Sequence, residues 1–274
     1  MEHVVVSSPR SGEDYSEDAY VVVDSHGTFL CAVIDTHHGG TFTHQQSSAV
    51  AQATAQAFRQ GAEVLGDRLV RGLAAADQFL LRHHPDFGAV ATAVEVRGSR
   101  MLVAQLGDSR LCRSVWNASG YAKLTPVHTA ENPDELRRME TALHSGRFHV
   151  RVHVRDGQVT HRLYHRRWPW GWSRHGLMVT RSLGDAPYRS ALTAEPEILT
   201  FDLSAFPPRT LFTICSDGAM DAVARMYGRI RSRVPTVEMG EVQALLEQGL
   251  LFEHDDDATA ICFRWEDSER PGAA

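Results

Sequence analysis

Short apolar runs that occur in pairs constrain the fold of this chain most strongly. Residues 21–23 and 29–34 lie on either side of a turn-forming stretch, and residues 89–96 and 101–106 are separated in the same way by a short turn. Runs joined so closely pair antiparallel, because a parallel connection needs a crossover of about a dozen residues. The pattern predicts antiparallel sheets built from hairpins and not the strict strand–helix alternation of a doubly wound fold.

Helical periodicity occurs in other parts of the chain than the paired apolar runs. Alanine, glutamine and leucine dominate residues 45–84, where Gly61 and Gly66 divide two predicted helices, and apolar side chains recur at helical spacing in the second one. Shorter helices are predicted at 132–139 and 242–250, and further strands at 111–116, 121–124, 197–202, 210–215 and 259–265. These elements predict an α+β fold in which helices flank antiparallel sheets.

Length and composition indicate one domain. The 274 residues are 43% hydrophobic, enough for a single core over residues 1–265, and the polar stretch 266–274 is predicted to be a disordered tail. The net charge of −6 argues against nucleic acid or a membrane as partner. No apolar run approaches the roughly 20 residues that span a bilayer. The four cysteines show no CxxC spacing, and the first residues lack the basic and apolar pattern of a secretory leader. We expect a cytoplasmic monomer with free thiols.

Acidic residues directly follow or precede several predicted strands. Asp35, Asp108 and Asp217 each follow an apolar run, and Glu17 and Asp256 stand just before such runs. Any one of these acids is explained by the preference of aspartate for turns. As a set, clustered carboxylates repel one another, and a hard cation such as Mg²⁺ or Mn²⁺ offsets that repulsion best. The residues alone allow a metal site but do not show that the strand ends converge.

Seven short motifs occur in order along nearly the whole chain. They are Ser16-Glu17-Asp18-Ala19-Tyr20, the apolar run that ends in Asp35-Thr36-His37-His38-Gly39-Gly40, Gly107-Asp108-Ser109-Arg110, Leu124-Thr125-Pro126-Val127-His128 with Glu131-Asn132-Pro133, Val179-Thr180-Arg181-Ser182-Leu183-Gly184-Asp185, Ser216-Asp217-Gly218-Ala219-Met220-Asp221, and Asp256-Asp257-Ala258-Thr259. Each string alone is weak evidence. In this order they resemble the motifs of the metal-dependent protein phosphatases of type 2C, and the chain looks like a divergent member of that family.

The resemblance implies a central antiparallel β-sandwich, flanked on both sides by pairs of helices, with two metal ions in a cleft at one end. By that resemblance Asp35 would bridge both ions, Asp217 and Asp256 would complete one ion's ligands, and Glu17 and the backbone carbonyl of Thr36 would serve the other. Asp108, with Asp217, matches positions that hold a weaker third ion in some members. The expected cofactors are two or three Mn²⁺ or Mg²⁺ ions.

The resemblance also implies two catalytic side chains. A water shared by the cations would attack phosphorus in line, and His37 would protonate the leaving serine or threonine oxygen. Glu13 stands where the family has a phosphate-gripping arginine, so Arg10, three residues upstream, is predicted to take that role. The DGHGG motif has one extra residue here, which leaves His38 as an alternative to His37.

The stretch 141–175 is longer and more basic than the family's usual connection. It holds seven arginines and six histidines, together with Trp168, Trp170 and Trp172. The plainer interpretation is an exposed β-ribbon with solvated charge. The alternatives are a basic flap that draws acidic or phosphorylated protein segments toward the cleft, and a site for single-stranded nucleic acid, which the acidic remainder of the chain makes a minor alternative.

The expected activity is hydrolysis of phosphoserine and phosphothreonine, with a phosphorylated protein as the partner. Glu13 and the altered DGHGG motif leave open a pseudophosphatase that acts as a binding or regulatory module. Against that alternative, the retained carboxylates would be costly to bury without metal. A related hydrolase of small phosphomonoesters is the third hypothesis, which a basic segment lining the cleft would disfavour.

Overall fold

The computed structural model describes residues 1–9, 16–25, 27–37, 49–50, 52–54, 56–57, 66–115, 120–155, 158–167, 171–173, 176–250 and 256–266. Its strands are β1 (Glu2–Ser8), β2 (Ala19–Ser25), β3 (Thr28–His37), β4 (Gly88–Arg97), β5 (Arg100–Leu106), β6 (Arg110–Val115), β7 (Gly120–Lys123), β8 (Phe148–Arg155), β9 (Gln158–Arg167), β10 (Gly171–Trp172), β11 (Leu183–Gly184), β12 (Glu197–Asp202), β13 (Leu211–Cys215) and β14 (Ala258–Arg264). Its helices are α1 (Asp67–His83), α2 (Pro133–His144), α3 (Met220–Ile230) and α4 (Met239–Leu250), with single 3-10 turns at Ala186–Tyr188 and Leu203–Ala205.

The strands form two large sheets and one small sheet. The first sheet has the order β1-β14-β13-β6-β7, and the second has the order β12-β5-β4-β3-β2, with β11 paired to β4. The small sheet has the order β10-β9-β8. The paired strands within each sheet run antiparallel, as between β3 and β4 or β13 and β14. The α+β class and the predicted hairpins are therefore confirmed.

Apolar side chains fill the space between the two large sheets. Phe29 and Val33 of β3 belong to the same buried cluster as Phe212 and Ile214 of β13 and Ile261 of β14. Strand β3 is buried from its first residue to the eighth, because the opposite sheet covers one face and helices cover the other. Continuous apolar runs are typical of strands that are covered on both faces.

Helices cover the outer face of each sheet. On the second sheet, Leu69, Leu73, Ala76 and Leu80 form the buried stripe of α1, and Val50 of the helical residues at 49–50 joins the same cluster. On the first sheet, Tyr227 of α3 and Leu246 of α4 pack against the strands. These layers agree with the predicted sandwich between helices.

Strand β1 and helix α3 are among the described elements that were not predicted from the sequence. Strand β1 pairs with β14 at the other end of the chain, with Val5 opposite Ile261, and α3 begins directly after the Ser216–Asp217 turn. The predicted tail lies outside the described residues from position 267 onward. All four cysteines are buried free thiols, as predicted. Among the described residues no helix is both long and apolar enough to cross a membrane.

The small sheet is a ribbon that projects from the body of the protein. Its root packs on α2, where Phe148, Leu163 and Met139 share a buried cluster with Tyr188. Toward its tip the same face becomes exposed, and Val154 reaches 70% exposure. This is the β-ribbon of the plainer interpretation of residues 141–175.

Candidate active site

Strand ends that carry the predicted site residues meet at one end of the sandwich. Thr36 and His37, the last residues of β3, lie opposite Ala89 and Gly88 at the start of β4. Strands β2 and β14 begin at this end, and β5 and β13 finish there, since Ala19 pairs with Ile34, Ala91 with Leu106 and Cys215 with Ala260. The acids that the sequence placed at strand ends are therefore brought to the same edge of both sheets.

Hydrogen bonds tie the acidic segments of the two sheets together. The backbone N–H of Glu17 donates to Asp257 Oδ2 at 2.7 Å, and Thr36 Oγ1 donates to the carbonyl oxygen of Glu17 at 3.1 Å. A Cβ on Gly218 would lie 2.2 Å from the carbonyl oxygen of Asp257, so only glycine lets the turn after β13 approach this segment. These contacts place Glu17, Thr36, the Asp217 turn and the Asp256–Asp257 pair side by side.

Asp35 lies at the centre of the negative charge. Its side chain is 8% exposed. Burial raises the pKa of Asp35 well above its ordinary value, and the charges of Asp18, Asp217, Asp108 and Asp256 raise it further. Carboxylates that influence one another in this way lie within a short distance of each other across a poorly solvated site. The strand-end acids, whose convergence the residues alone left open, therefore act together on Asp35.

Two further acids of the cluster share this behaviour. Burial raises the pKa of Asp18 to about 8, with the hydroxyls of Ser216 and Thr259 opposing the shift and Asp257 adding to it. Burial also raises the pKa of Asp108 to about 6, with Asp217 adding to the shift and His37 opposing it. From the sequence, Asp18 was noted only as a neighbour of Glu17 in the acidic motif, and no role was predicted for it.

The predicted metal-ligating groups at these strand ends are of the chemical type that binds a hard cation. They consist of carboxylates and a backbone carbonyl, with neither thiolates nor paired histidines, and such oxygen donors favour Mg²⁺ or Mn²⁺ over zinc. Asp217 and Asp256 are exposed, whereas Asp35 is buried behind them. Over the described ranges, no three histidine, cysteine or acidic side chains are close enough together to ligate one ion. These residues therefore match a hard cation in the chemical type and the charge of their donor groups.

His37 is held by a buried aspartate from a distant motif. His37 Nε2 donates to Asp185 Oδ2 at 2.8 Å, and Ser182 Oγ donates to the same oxygen at 2.6 Å. Burial opposes protonation of His37, but the charge and hydrogen bond of Asp185, with Asp108 and Asp217, outweigh it and raise the pKa of His37. The buried carboxylate therefore holds the His37 ring through Nε2 and stabilises its protonated form.

The pairing of His37 with Asp185 depends on a glycine. A Cβ on Gly88 would lie 2.0 Å from Asp185 Oδ2, so any other residue would push the carboxylate away. Asp185 is 1% exposed and has a φ of 51°, a left-handed conformation that few residues other than glycine adopt. Strained backbone of this kind persists where surrounding contacts impose it, which is common at functional sites.

A second histidine, the buried His128, fixes the loop that carries Asp108. The N–H of Gly107 donates to His128 Nδ1 at 3.2 Å, and His128 Nε2 contacts Glu197 Oε2 at 2.9 Å. Because Nδ1 accepts a hydrogen bond, Nε2 carries the proton and the ring is neutral. Burial lowers the pKa of His128, against the effect of Glu197. The histidine of the LTPVH motif therefore positions a site loop.

Arg181, in the VTRSLGD motif, points toward α2. Arg181 Nη2 lies 2.7 Å from Glu135 Oε1, and Thr180 Oγ1 donates to Glu135 Oε2 at 2.8 Å. Although burial opposes ionisation, hydrogen bonds from Arg181, Thr180 and Arg138 lower the pKa of Glu135 to about 2. This ion-pair cluster anchors the motif to α2 and so fixes the segment that ends at Asp185.

Some predicted residues lie outside the described part of the chain. Arg10, Glu13 and His38 belong to this group, so the phosphate-gripping role of Arg10 and the choice between His37 and His38 stay predictions. Three functional candidates, Asp18, Asp185 and Asp257, had no role assigned from sequence. All three stand inside quoted motifs, and that position was the only signal that could have identified them.

Comparison with known proteins identifies the family. The family model described as "Protein phosphatase 2C" matches residues 1–226. "Probable protein phosphatase 2C 33" of Oryza sativa subsp. japonica is 30% identical over 267 residues, which cover 92% of this chain and 58% of the relative. "Probable protein phosphatase 2C 15" of Arabidopsis thaliana is 28% identical, with 87% and 54% covered.

Solved structures show the same fold. The serine-threonine phosphatase 2C from Toxoplasma gondii superposes with a TM-score of 0.68 at 17% identity, with 96% of this chain and 94% of that chain covered. The Mycobacterium tuberculosis serine/threonine phosphatase PstP/Ppp superposes with a TM-score of 0.59 at 18% identity, with 97% and 98% covered. At this identity the likeness shows the fold alone.

The chain spans only part of the curated plant relatives that it matches, from 29% of a rice protein with kinase and phosphatase-like domains to 58% of the rice phosphatase. The family model nevertheless covers most of the chain, including the segments that carry Glu17, Asp35, Asp108 and Asp217. The chain belongs to the protein phosphatase 2C family.

Proposed function

We propose that this chain hydrolyses phosphoserine and phosphothreonine in proteins, with its acidic cluster as the catalytic centre. The observation that carries the proposal is the buried Asp35 at the end of β3, on which the charges of four other aspartates act and which stands two residues before His37, the partner of Asp185. The plant relatives named as phosphatases support it and lend no support to a binding module without activity. A cytoplasmic location and a monomeric state belong to the same proposal.

Members of this family depend on metal ions, and two Mn²⁺ or Mg²⁺ ions, with a weaker third, are proposed for this chain. Asp35 would be shared by two ions, with Asp217, Asp256, Glu17 and the Thr36 carbonyl as further ligands and Asp108 for the third ion. When bound, such cations supply the positive charge that activates water and offsets the charge on phosphoryl oxygens. Their charge would also oppose the burial and the mutual repulsion that raise the pKa of Asp35.

The residues of the chain would handle the proton and the orientation of the substrate. His37, with its raised pKa, would give a proton to the departing serine or threonine oxygen. Asp185 would fix the orientation of the ring through Nε2 and favour the protonated form before transfer. Arg10 is proposed to bind the phosphate, so that its loss raises KM more than it lowers kcat.

The test is a substrate comparison at saturating Mn²⁺. Purified protein would be given phosphothreonine, phosphoserine and phosphotyrosine peptides of one sequence, with p-nitrophenyl phosphate as a small ester, and the Asp217→Ala variant would be assayed beside it. The proposal expects kcat/KM for the phosphothreonine and phosphoserine peptides to exceed that for the other two compounds, and Asp217→Ala to remove it. A preference for the small ester would favour the small-phosphomonoester hypothesis instead.

A further inference from the structure

The ribbon of β8, β9 and β10 has two chemically different faces. Residues paired directly across antiparallel strands share a face, and here Arg151 pairs with Arg162, His149 with Tyr164, and Trp172 with Arg166. These six residues form one face, which we call the basic face. The apolar residues between them, such as Val150 and Leu163, belong to the opposite face, which packs on α2 at its root.

The basic face carries three arginines, two of which, Arg151 and Arg162, have no acidic partner among the described residues. Arg151 is exposed, and its guanidinium carbon lies 5.1 Å from the centre of the Tyr164 ring, while Arg162 Nη1 donates to the carbonyl oxygen of Gly176 at 3.0 Å. Within the described residues neither arginine forms an ion pair with an acidic side chain. Arg166 is also exposed. The chain as a whole has a net charge of −6, so this group of arginines forms a positively charged patch on a negatively charged protein.

The root of the ribbon contacts the segment that positions His37. The His165 ring lies 4.6 Å from the ring of Tyr188, and Tyr188 Oη donates to Ser173 Oγ at 3.1 Å. Tyr188 follows Asp185, the partner of His37, by three residues within one turn. The ribbon therefore rises from the catalytic end of the sandwich, where part of a bound protein substrate would extend.

We propose that the basic face binds an acidic segment of the phosphoprotein substrate, outside the phosphorylated residue itself. The proposal rests on the proposed function and specifies its substrate class. Carboxylates of the substrate would pair with Arg151, Arg162 and Arg166, with the charge raising the encounter rate and lowering KM. The contribution of each exposed pair is small, so the selectivity arises from several arginines acting together.

The aromatic rings of the face favour a peptide over single-stranded nucleic acid. Binding of successive bases needs open ring faces on which they stack. Tyr164 is buried, with His149 stacked on it at 5.3 Å and Arg151 over it, and Trp172 meets His149 edge to face at 3.8 Å. Tyr164 and His149 are thus engaged with neighbouring side chains, and Trp172 is the one ring of the six residues that is exposed. The exposed charged groups of the face are the guanidinium groups of Arg151 and Arg166, which pair with carboxylates.

The test uses two phosphothreonine peptides that differ only in a flanking segment of four glutamates or four glutamines. Wild-type protein, the double variant Arg151→Gln/Arg166→Gln and the control Arg100→Gln would be assayed at saturating Mn²⁺. Arg100 is an exposed arginine at the opposite end of the sandwich. We expect wild type and control to show a KM about fivefold lower for the glutamate peptide, and the double variant to lose most of that difference with the glutamine peptide unaffected.

A binding measurement separates this proposal from the catalytic one. A fluorescent, unphosphorylated glutamate peptide would be titrated with the same proteins in EDTA, with a labelled oligouridylate as a second probe. Peptide binding that weakens in the double variant supports the basic face even if no peptide is hydrolysed. Equal KM values for the two peptides in wild type, an equal loss in Arg100→Gln, or binding of the oligouridylate without the peptide would overturn the proposal.

Discussion

Asp185 is the residue through which a distant part of the chain controls the proposed acid. It accepts hydrogen bonds from His37 and Ser182 while buried in a left-handed conformation. Its carboxylate contributes both orientation and charge, because it is among the groups that raise the pKa of His37. A loss of this carboxylate should therefore change the pH dependence of catalysis as well as its rate.

Replacing Asp185 with asparagine tests this role. Asp185→Asn keeps the shape of the side chain but removes its charge, so the pKa of His37 should fall and the alkaline limb of the kcat profile should move to lower pH. We expect kcat at pH 8 to fall by roughly 10- to 100-fold, while the exposed control Asp134→Asn behaves as wild type. An unchanged pH profile with a uniformly lower rate would contradict a charge role for Asp185.

At the scale of single residues, sequence patterns identified which side chains are acidic and adjacent to strands, but not how they pair. Asp35, Asp108 and Asp217 could be predicted because each follows an apolar run. The contact of His37 with Asp185 joins residues 148 positions apart, and no local periodicity encodes such a distance. The same limit applies to the bond between Glu17 and Asp257.

At the scale of elements, the pairing of β3 with β4 creates the space that the site needs. Gly88 begins β4 opposite His37, and its missing side chain makes room for Asp185. Glycine inside a strand usually weakens the strand, and its presence here is explained by the close approach of a buried carboxylate.

Gly88→Ala should therefore impair both stability and activity. The added methyl group would overlap Asp185, so we expect a loss of about 1–3 kcal/mol in unfolding free energy, as for overpacked cores, with kcat reduced as in Asp185→Asn. Gly228→Ala is the matched control, because Gly228 is exposed on α3 and an added methyl group there would have no neighbour within 4 Å. That change should stabilise the protein by about 0.5–1 kcal/mol. Full activity in Gly88→Ala would show that the spacing between β4 and Asp185 is unimportant.

At this scale, a strand could be predicted when its pairing partner lay close to it in the sequence. The hairpins β2–β3 and β4–β5 could be predicted because both strands and their turn lie within a short stretch. Strand β1 could not, since its partner β14 lies more than 250 residues away in sequence. The start of α3 follows the SDG turn directly, and it lacks the usual capping signal because Ala219 occupies the N-cap position.

At the scale of the whole molecule, the acidic cluster makes stability depend on pH and metal. Asp18 has its pKa raised to about 8 in the folded protein, so the folded state binds a proton there that the unfolded chain has already lost at neutral pH. The stability linked to this group is fully present below the unfolded pKa, near 4, and is lost as pH rises through about 8. Cations that bind only the folded protein would oppose this loss.

Thermal unfolding in EDTA should accordingly show a Tm that falls between pH 5 and pH 9, with saturating Mn²⁺ raising Tm most at high pH. Asp18→Asn should raise the metal-free Tm at pH 8.5 and change it little at pH 5, where the carboxyl is already protonated. The exposed Asp86 provides the control, and Asp86→Asn should follow wild type at both pH values. A metal-free Tm that does not change from pH 5 to pH 9 would contradict the inference that ionisation of the buried acids destabilises the metal-free protein.

The most direct test of the catalytic centre is phosphate release from a phosphothreonine peptide, measured for wild type and Asp35→Ala over a range of Mn²⁺ concentrations. Asp35 is the buried carboxylate on which the charges of the other four aspartates act, and it is the proposed ligand shared by two ions. We predict that wild-type turnover requires Mn²⁺ and stops in EDTA, and that folded Asp35→Ala loses at least about 10³-fold in kcat/KM. Turnover by wild type in EDTA, or near-normal turnover by Asp35→Ala, would contradict the assignment of this cluster as the catalytic centre.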